Sequence, residues 1–366
     1  MAGRSAIGLD IGTSAVRAAQ LSHGKGGVTL DRFGEVALPA GAVRDGEVVA
    51  PDVVATAIKK LWSTYKFSGK KVVLGVANQK VVVRMIDLPW MPADEIRQTL
   101  AFQVQDFVPM PVDSAVLDFH AIEEFTSQAG ARRVRGLLVA ASRDMVISSV
   151  NAVRMAGLTP VMVDLDSFAV LRSVATPDEF GLNGGVEALV DVGARVTNVI
   201  VHEGGVPRFV RILLMGGEDL VEAVAERAGV DHGRAQEMTW DMGLPTTAAT
   251  AAPGVPGQAP APSSTDSAAR ALESATAALL EEIRGSLDYH VASSGSAPIS
   301  RTLLTGGGAR LDGLAERLQA VTRTPVEHGN PLASMQVGKV RLSPQQMDTL
   351  ESAAAVPVGL ALGAAA

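Results

Sequence analysis

Cysteine is absent from the 366 residues, which excludes disulfides, thiolate catalysis and cysteine-ligated zinc. The six histidines are scattered along the chain and lack the short spacings of metal-binding motifs. The net charge of −7 argues against general nucleic-acid binding, which requires a basic surface. With 47% hydrophobic and 19% charged residues, the composition instead predicts a globular chain with a sizeable core.

Long apolar runs are also missing. No uninterrupted apolar segment reaches the roughly 18 residues typical of a transmembrane helix, and the first apolar run contains Asp10, unlike a signal peptide. We therefore expect a cytoplasmic protein, in which any role at the membrane depends on a partner. The dinucleotide motif G-x-G-x-x-G and the P-loop motif are absent as well.

A predicted strand–turn–strand unit lies close to the N-terminus. The apolar run 6–9 ends in Asp10, and a small polar turn of Gly12, Thr13 and Ser14 follows. Gly12 allows a ligand to approach the backbone, and the N–H groups and hydroxyls can converge on an anion. Asp10 would repel a bare phosphate, so a cation such as Mg²⁺ would have to lie between them. The alternative is an ordinary turn, since Asp-x-Gly is common turn chemistry.

The same pattern recurs in the second half of the chain. Residues 9–16 (LDIGTSAV) are repeated as residues 190–197 (VDVGARVT), again with an aspartate, Asp191, at the end of an apolar strand. Two such hairpins can face each other and hold one polyphosphate and its metal from both sides. The repeat therefore favours a two-sided phosphate site over two unrelated turns.

A third glycine-rich segment follows another apolar strand. Gly306, Gly307 and Gly308 come directly after Thr305 and precede a predicted helix. Without side chains, a flat or charged group can lie against this backbone. The alternative is a tightly packed corner between a strand and a helix.

These elements, with Asp166 at the start of a predicted helix between the two hairpins, resemble the actin/Hsp70/sugar-kinase superfamily. The insertion running from 92–96 to 107–109, followed by Asp118-Phe119 and 156–158, resembles the cell-division protein FtsA and, more closely, the PilM family of type IV pilus assembly proteins. The resemblance covers nearly the whole chain. It implies an α/β actin-like ATPase fold, with two ribonuclease-H-like domains around a nucleotide cleft and an FtsA-type inserted subdomain.

The resemblance also implies a division into domains. The first actin-like domain (1A) is expected at 1–89 and 158–183, and the inserted subdomain (1C) at 90–157. The second domain (2A) is expected at 184–220 and 284–366, with subdomain 2B at 221–283. Within 2B, residues 247–266 are mostly Ala, Pro, Thr, Gly and Ser, which predicts a disordered loop.

The cofactors that the resemblance implies are ATP and Mg²⁺. Catalytic roles are expected for Asp10, Asp166 and Asp191, of which Asp10 and Asp191 would also hold the metal. The expected nucleotide-binding residues are Gly12, Thr13, Ser14, Gly193, Arg195, Gly216, Gly217, Gln236, Gly306, Gly307 and Gly308.

One position departs from the family pattern. Where the family usually has Ala-Glu-x-x-Lys, this chain has Gln236 and Thr239 at the Glu and Lys positions. Gln236 can still hydrogen-bond a ribose hydroxyl, but Thr239 lacks the charge and reach of lysine. We therefore expect weakened nucleotide affinity and at most slow ATP hydrolysis.

The family resemblance further implies a groove, beside the inserted subdomain, for the N-terminal cytoplasmic peptide of a PilN-like inner-membrane protein. Candidate groove residues are Ile96 and Leu100 on a predicted helix over 93–107, with Arg84 and Met85 on the preceding strand. The alternative is that the helical stripe forms the subdomain core. Other pilus assembly proteins and a second copy of the chain are further candidate partners.

The leading hypothesis is an ATP-binding cytoplasmic scaffold of a type IV pilus or related secretion machine. Two alternatives from the same superfamily are an FtsA-like filament-forming division protein and a small-molecule kinase. FtsA ends in an amphipathic membrane-targeting helix, which residues 363–366 do not predict. A kinase needs a catalytic base in the first domain, and no aspartate there lies in a characteristic setting.

Overall fold

The computed structural model describes residues 5–175, 185–244, 264–295, 297–338 and 350–364. The helices are α1 (Pro51–Tyr65), α2 (Ala93–Gln103), α3 (Arg143–Met155), α4 (Asp166–Val174), α5 (Gly217–Ala228), α6 (His232–Met242), α7 (Ser264–Ser294), α8 (Leu314–Thr322) and α9 (Ala355–Gly363). The strands are β1 (Ser5–Ile11), β2 (Ala15–Gly24), β3 (Gly27–Ala37), β4 (Val43–Arg44), β5 (Glu47–Val48), β6 (Lys71–Val76), β7 (Val82–Pro89), β8 (Ala115–Thr126), β9 (Arg132–Ser142), β10 (Thr159–Leu165), β11 (Val186–Val192), β12 (Thr197–Glu203), β13 (Val206–Leu213), β14 (Ile299–Thr305), β15 (Val326–His328) and β16 (Gln336–Val337).

Two large mixed sheets form the framework of the chain. The first sheet has the order β10-β6-β1-β2-β3-β16, and the second has the order β13-β12-β11-β14-β15. In each, a central antiparallel hairpin (β1-β2 or β11-β12) is flanked by a parallel strand, β6 or β14. The two sheets are therefore built on the same plan, as the sequence repeat predicts.

The repeated hairpins agree in register as well as in topology. Asp10 pairs with Arg17 in the first hairpin, and Asp191 pairs with Asn198 in the second. Each turn closes with the same hydrogen bond: the Gly12 N–H donates to Ala15 at 3.0 Å, and the Gly193 N–H donates to Val196 at 2.9 Å. Both aspartates consequently lie at the carboxyl end of a buried strand, beside a glycine turn.

Helices cover both large sheets. α1 begins with Pro51, a residue suited to the first helical position, and buries Val54, Ile58 and Leu61 against the first sheet. On the other face of this sheet lies α9, which approaches so closely that a side chain on Gly8 would collide with the α9 backbone at Pro357. Gly359 of α9 lies equally close to α4, where a side chain would collide with the backbone of Ala169. The second sheet packs against α5, α7 and α8.

The third sheet, β7-β9-β8, packs its apolar face against α2. Its helix is shorter than expected, because α2 ends at Gln103 and a 3-10 turn at Gln105–Phe107 follows. The predicted loop at 247–266 lies largely outside the described residues, and 264–266 belong to α7. Among the described helices, none combines the length and apolarity required to cross a bilayer.

Three stretches pack elsewhere than the domain division predicts. β7, expected in domain 1A, pairs with β9 in the inserted sheet. α3, expected in the inserted subdomain, packs on α1 and places Ala152 and Val153 in the core of the first domain. β16 and α9, expected in the second domain, join the first sheet. The sheet that a strand joins depends on long-range pairing, which local sequence patterns do not contain.

Candidate functional site

A cleft with an empty volume of about 790 Å³, partly open to solvent, lies where the two glycine turns face each other. The predicted residues that line it are Asp10, Gly12, Thr13, Ser14, Asp166, Asp191, Gly193, Arg195, Gly306 and Gly307. Gly216, Gly217, Gln236 and Gly308 are not among its lining residues. The structure therefore brings together most of the nucleotide site that the family resemblance implies.

Three aspartates meet at this cleft from three different elements. Asp10 is the penultimate residue of β1, Asp191 is the penultimate residue of β11, and Asp166 begins α4. Asp10 and Asp191 are only 7% and 6% exposed. Burial raises the pKa of each to about 6, although Arg17 opposes the rise at Asp10 and a hydrogen bond from Asn198 opposes it at Asp191.

Asp166 is the least compensated of the three. Its Oδ1 atom is buried and has no hydrogen-bond partner. Burial, followed by the charges of Asp10 and Asp191, raises its pKa well above the usual range. Gly75 on β6 makes room for this carboxylate, since any side chain at position 75 would collide with Oδ1. The charge of Asp10 raises the pKa values of Asp166 and Asp191, and that of Asp191 also raises the pKa of Asp166, so repelling carboxylates form a site suited to a cation.

The described residues contain no group of three or more His, Asp or Glu side chains compact enough to hold a metal by themselves. An ion at this cleft would therefore need further oxygen ligands from water or phosphate. That coordination suits Mg²⁺, which retains several waters and takes one or two carboxylates together with phosphate oxygens. The unpartnered Oδ1 of Asp166 and the repelling carboxylates fit such an ion.

Two polar residues of the cleft were missed by the sequence reasoning. Arg17 Nη1 lies 3.7 Å from Asp10 Oδ2, and the same guanidinium donates to Glu35. At the matching position of the second hairpin, Asn198 Nδ2 donates to Asp191 Oδ2 at 3.1 Å. The repeat itself carried the signal, because the residue that faces each aspartate across its hairpin can be read from the register.

Arg195 lines the cleft, but its guanidinium is hydrogen-bonded to two carboxylates of α5. Nη1 lies 2.8 Å from both Asp219 and Glu222. The hydrogen bond to Glu222, followed by the charges of both acids, raises the pKa of Arg195. Arg195 therefore anchors the second turn to α5, whereas Arg17 provides a half-buried cation at the first.

The glycines divide into two groups. Gly306 has a φ of 94°, and a side chain there would collide with the Val192 carbonyl, so only glycine fits. A side chain on Gly307 would meet open space. Gly216 and Gly217 instead support the second turn: the Gly217 N–H donates to the Gly193 carbonyl at 2.9 Å. Their contribution to the cleft is therefore indirect.

The position that departs from the family pattern does not reach the cleft. Thr239 is fully buried in α6, where its hydroxyl donates to the Ala235 carbonyl at 2.8 Å. Gln236 on the same helix is exposed. Thr239 is therefore a core residue here.

Of the four predicted groove residues, two are buried and two are accessible to solvent. Ile96 and Leu100 are 7% and 5% exposed and lie in the core between α2 and the inserted sheet. They are unavailable to a peptide, which corrects the expectation that they line a groove; the amphipathic stripe serves the core instead. On β7, Arg84 is exposed and Met85 is half-buried.

Comparisons with known proteins agree with this architecture. The family model described as type IV pilus assembly protein PilM matches residues 8–251 and 263–365. The chain is also similar to a solved chain of a PilM-PilN type IV pilus biogenesis complex, with a TM-score of 0.80 and 27% identity over 98% of both chains.

More distant similarity extends to two other proteins. Cell division protein FtsA of Pseudomonas aeruginosa is 26% identical over 365 aligned residues, which span 90% of this chain and 84% of FtsA. Ethanolamine utilization protein EutJ from Carboxydothermus hydrogenoformans shares the fold, with a TM-score of 0.54 and 13% identity over 99% of this chain and 90% of that chain. The predicted α/β actin-like ATPase fold is confirmed. The chain belongs to the PilM family of type IV pilus assembly proteins.

Proposed function

We propose that this chain binds ATP with Mg²⁺ in the cleft between its two hairpins and acts as a scaffold of a type IV pilus machine. One observation carries the proposal. Asp10, Asp166 and Asp191 converge on a cleft lined by three glycine-containing turns, with two pKa values raised to about 6 and one buried carboxylate oxygen left without a partner.

The chain's residues then take distinct roles. Asp10 and Asp191 hold the metal, and the turns at 12–14 and 193–195 offer N–H groups and hydroxyls to the phosphates. Arg17 contributes positive charge beside Asp10, while Gly306 and Gly307 leave a flat backbone surface for the nucleoside. Mg²⁺, when bound, supplies the positive charge that phosphoryl transfer requires.

Asp166 would orient a water molecule toward the terminal phosphate. Its raised pKa makes it a stronger base than an exposed aspartate, and its unpartnered Oδ1 atom can accept a hydrogen bond from that water. We propose hydrolysis that is slow at most, with binding and domain closure as the main function.

The partner we propose is a PilN-like inner-membrane protein, whose N-terminal cytoplasmic peptide binds beside the inserted sheet. A chain similar to this one was solved in a PilM-PilN complex, which supports this choice. Arg84 and Met85 on β7 are accessible contacts for such a peptide. Through this partner the chain would be held at the inner face of the cell membrane.

Calorimetry with ATP, in Mg²⁺ and in EDTA, tests the nucleotide proposal. We expect binding in Mg²⁺ that weakens at least tenfold in EDTA or in Asp10→Asn, because the variant lacks a metal ligand. Asp52→Asn, in the first turn of α1, is the matched control and should bind as the natural chain does. Absence of heat with ATP and Mg²⁺ would exclude the proposed function.

A further inference from the structure

A buried chain of hydrogen bonds leads away from the cleft. Asp191 Oδ2 accepts from Asn198 Nδ2 at 3.1 Å, and Asn198 Oδ1 accepts from Ser167 Oγ at 2.8 Å. Asn198 and Ser167 are 3% and 0% exposed. Both ends of the Asn198 amide are therefore engaged within the protein.

This series of hydrogen bonds connects the two domains. Asp191 and Asn198 belong to the hairpin of the second sheet, whereas Ser167 lies in the first turn of α4. α4 contacts β6 and β10 of the first sheet and also β11, β12 and β13 of the second. The helix is thus shared between the two domains, and its first turn carries both Asp166 of the cleft and Ser167.

The next residue of α4, Phe168, faces the inserted sheet. Phe168 packs against two apolar clusters: one contains Leu189 and Ile200 of the second sheet, and the other contains Ala141 and Met145 beside the inserted sheet. Val83 of β7 packs against the same two clusters. β7 also contacts β13 of the second sheet directly.

We propose that Asn198 and Ser167 are positioning residues that couple occupation of the phosphate site to the position of β7. This inference rests on the proposed function and extends it to regulation. A ligand that engages Asp191 alters the acceptor of the Asn198 amide, and Asn198 and Ser167 must shift together to keep their hydrogen bond.

The shift would change the position of β7, which carries the proposed partner contacts. A shift of the first turn of α4 moves Phe168 against the clusters that also hold Val83, whose neighbours in sequence are Arg84 and Met85. A ligand held by both hairpins also restrains the two domains relative to each other. β7 contacts β13 of the second sheet, and its Val83 packs on the cluster that includes Val76 of β6 in the first sheet, so its backbone should open less often when the cleft is filled.

Hydrogen exchange of the segment 82–89, with and without the nonhydrolysable analogue AMPPNP and Mg²⁺, tests the coupling. In the natural chain we expect saturating AMPPNP–Mg²⁺ to slow exchange in this segment about fivefold or more. Ser167→Ala removes one hydrogen bond and does not line the cleft. It should bind AMPPNP within about threefold of the natural affinity but lose most of the slowing.

Ser173→Ala is the matched control, because Ser173 is a buried serine of the same helix whose hydroxyl donates to Ala355 of α9 instead. It should retain the response, whereas Phe168→Leu, which preserves the hydrogen bonds, should reduce it.

The results distinguish failure of the coupling from failure of the proposed function. A full response in Ser167→Ala, loss of response in Ser173→Ala, or no response in the natural chain despite AMPPNP binding would overturn the coupling and leave the proposed function intact. Failure of the natural chain to bind AMPPNP would remove the proposed function and the coupling together.

Discussion

Replacement of Asp191 by asparagine should stabilise the metal-free protein. Burial raises the pKa of Asp191 from 3.8 to about 6 in the folded chain. The difference of about 2 units corresponds to about 3 kcal/mol of unfolding free energy, as an upper figure. Asn198 can still donate to the asparagine carbonyl, so the substitution removes the charge without removing the hydrogen bond.

The direction in which pH changes the stability follows from the number of protons that each state binds. Between about pH 4 and pH 6 the folded chain holds a proton on Asp191 that the unfolded chain has lost. The stability that this residue contributes is therefore complete below about pH 4 and is lost as the pH rises through about 6. At neutral pH the carboxylate is buried and charged, and it opposes folding.

Urea denaturation in EDTA measures both effects. At about pH 7.5 we expect Asp191→Asn to gain up to about 3 kcal/mol, and its stability should fall less steeply between about pH 4 and 6 than that of the natural chain. Saturating Mg²⁺–ATP should stabilise only the natural chain, by about 3 kcal/mol at a hundred times the dissociation constant. A variant less stable than the natural chain in EDTA at neutral pH, or one with the same pH slope, would refute this reasoning.

Five further substitutions test the roles of other residues. Gly306→Ala should destabilise the fold by about 1–3 kcal/mol, because position 306 has a positive φ. Gly307→Ala should change the melting temperature little and weaken ATP binding. Equal melting temperatures for the two variants would contradict this. Thr239→Lys should lower the unfolding free energy in urea without improving ATP affinity in calorimetry, because position 239 is fully buried. Leu100→Ala should cost about 2–5 kcal/mol by the same urea assay. Arg84→Ala should leave stability unchanged but weaken binding of a PilN-like peptide in calorimetry, and the opposite pattern would place the partner surface elsewhere.

Local sequence patterns predicted much of the candidate site. The hairpin around Asp10, its repeat around Asp191 and the glycine segment after Thr305 could all be predicted, because a strand, a tight turn and a second strand are specified by neighbouring residues. Asp166 could be placed only through the family resemblance, since one acid at the start of a helix has no distinctive pattern of its own. Its orphaned oxygen and its dependence on Gly75 became visible only in the structure.

The sequence by itself determined Asp10 and Asp191 of the cleft, because turn chemistry, apolar periodicity and the repeat act over short stretches of chain, and its motifs determined the fold class and the family through resemblance. Tertiary structure decided that β7 joins the inserted sheet, that α9 returns to the first sheet, and that Ile96 and Leu100 form core and not groove. It also decided that Asn198 bridges Asp191 and Ser167. These contacts join residues distant in sequence, and which of the available apolar and polar surfaces meet depends on the packing of the whole chain.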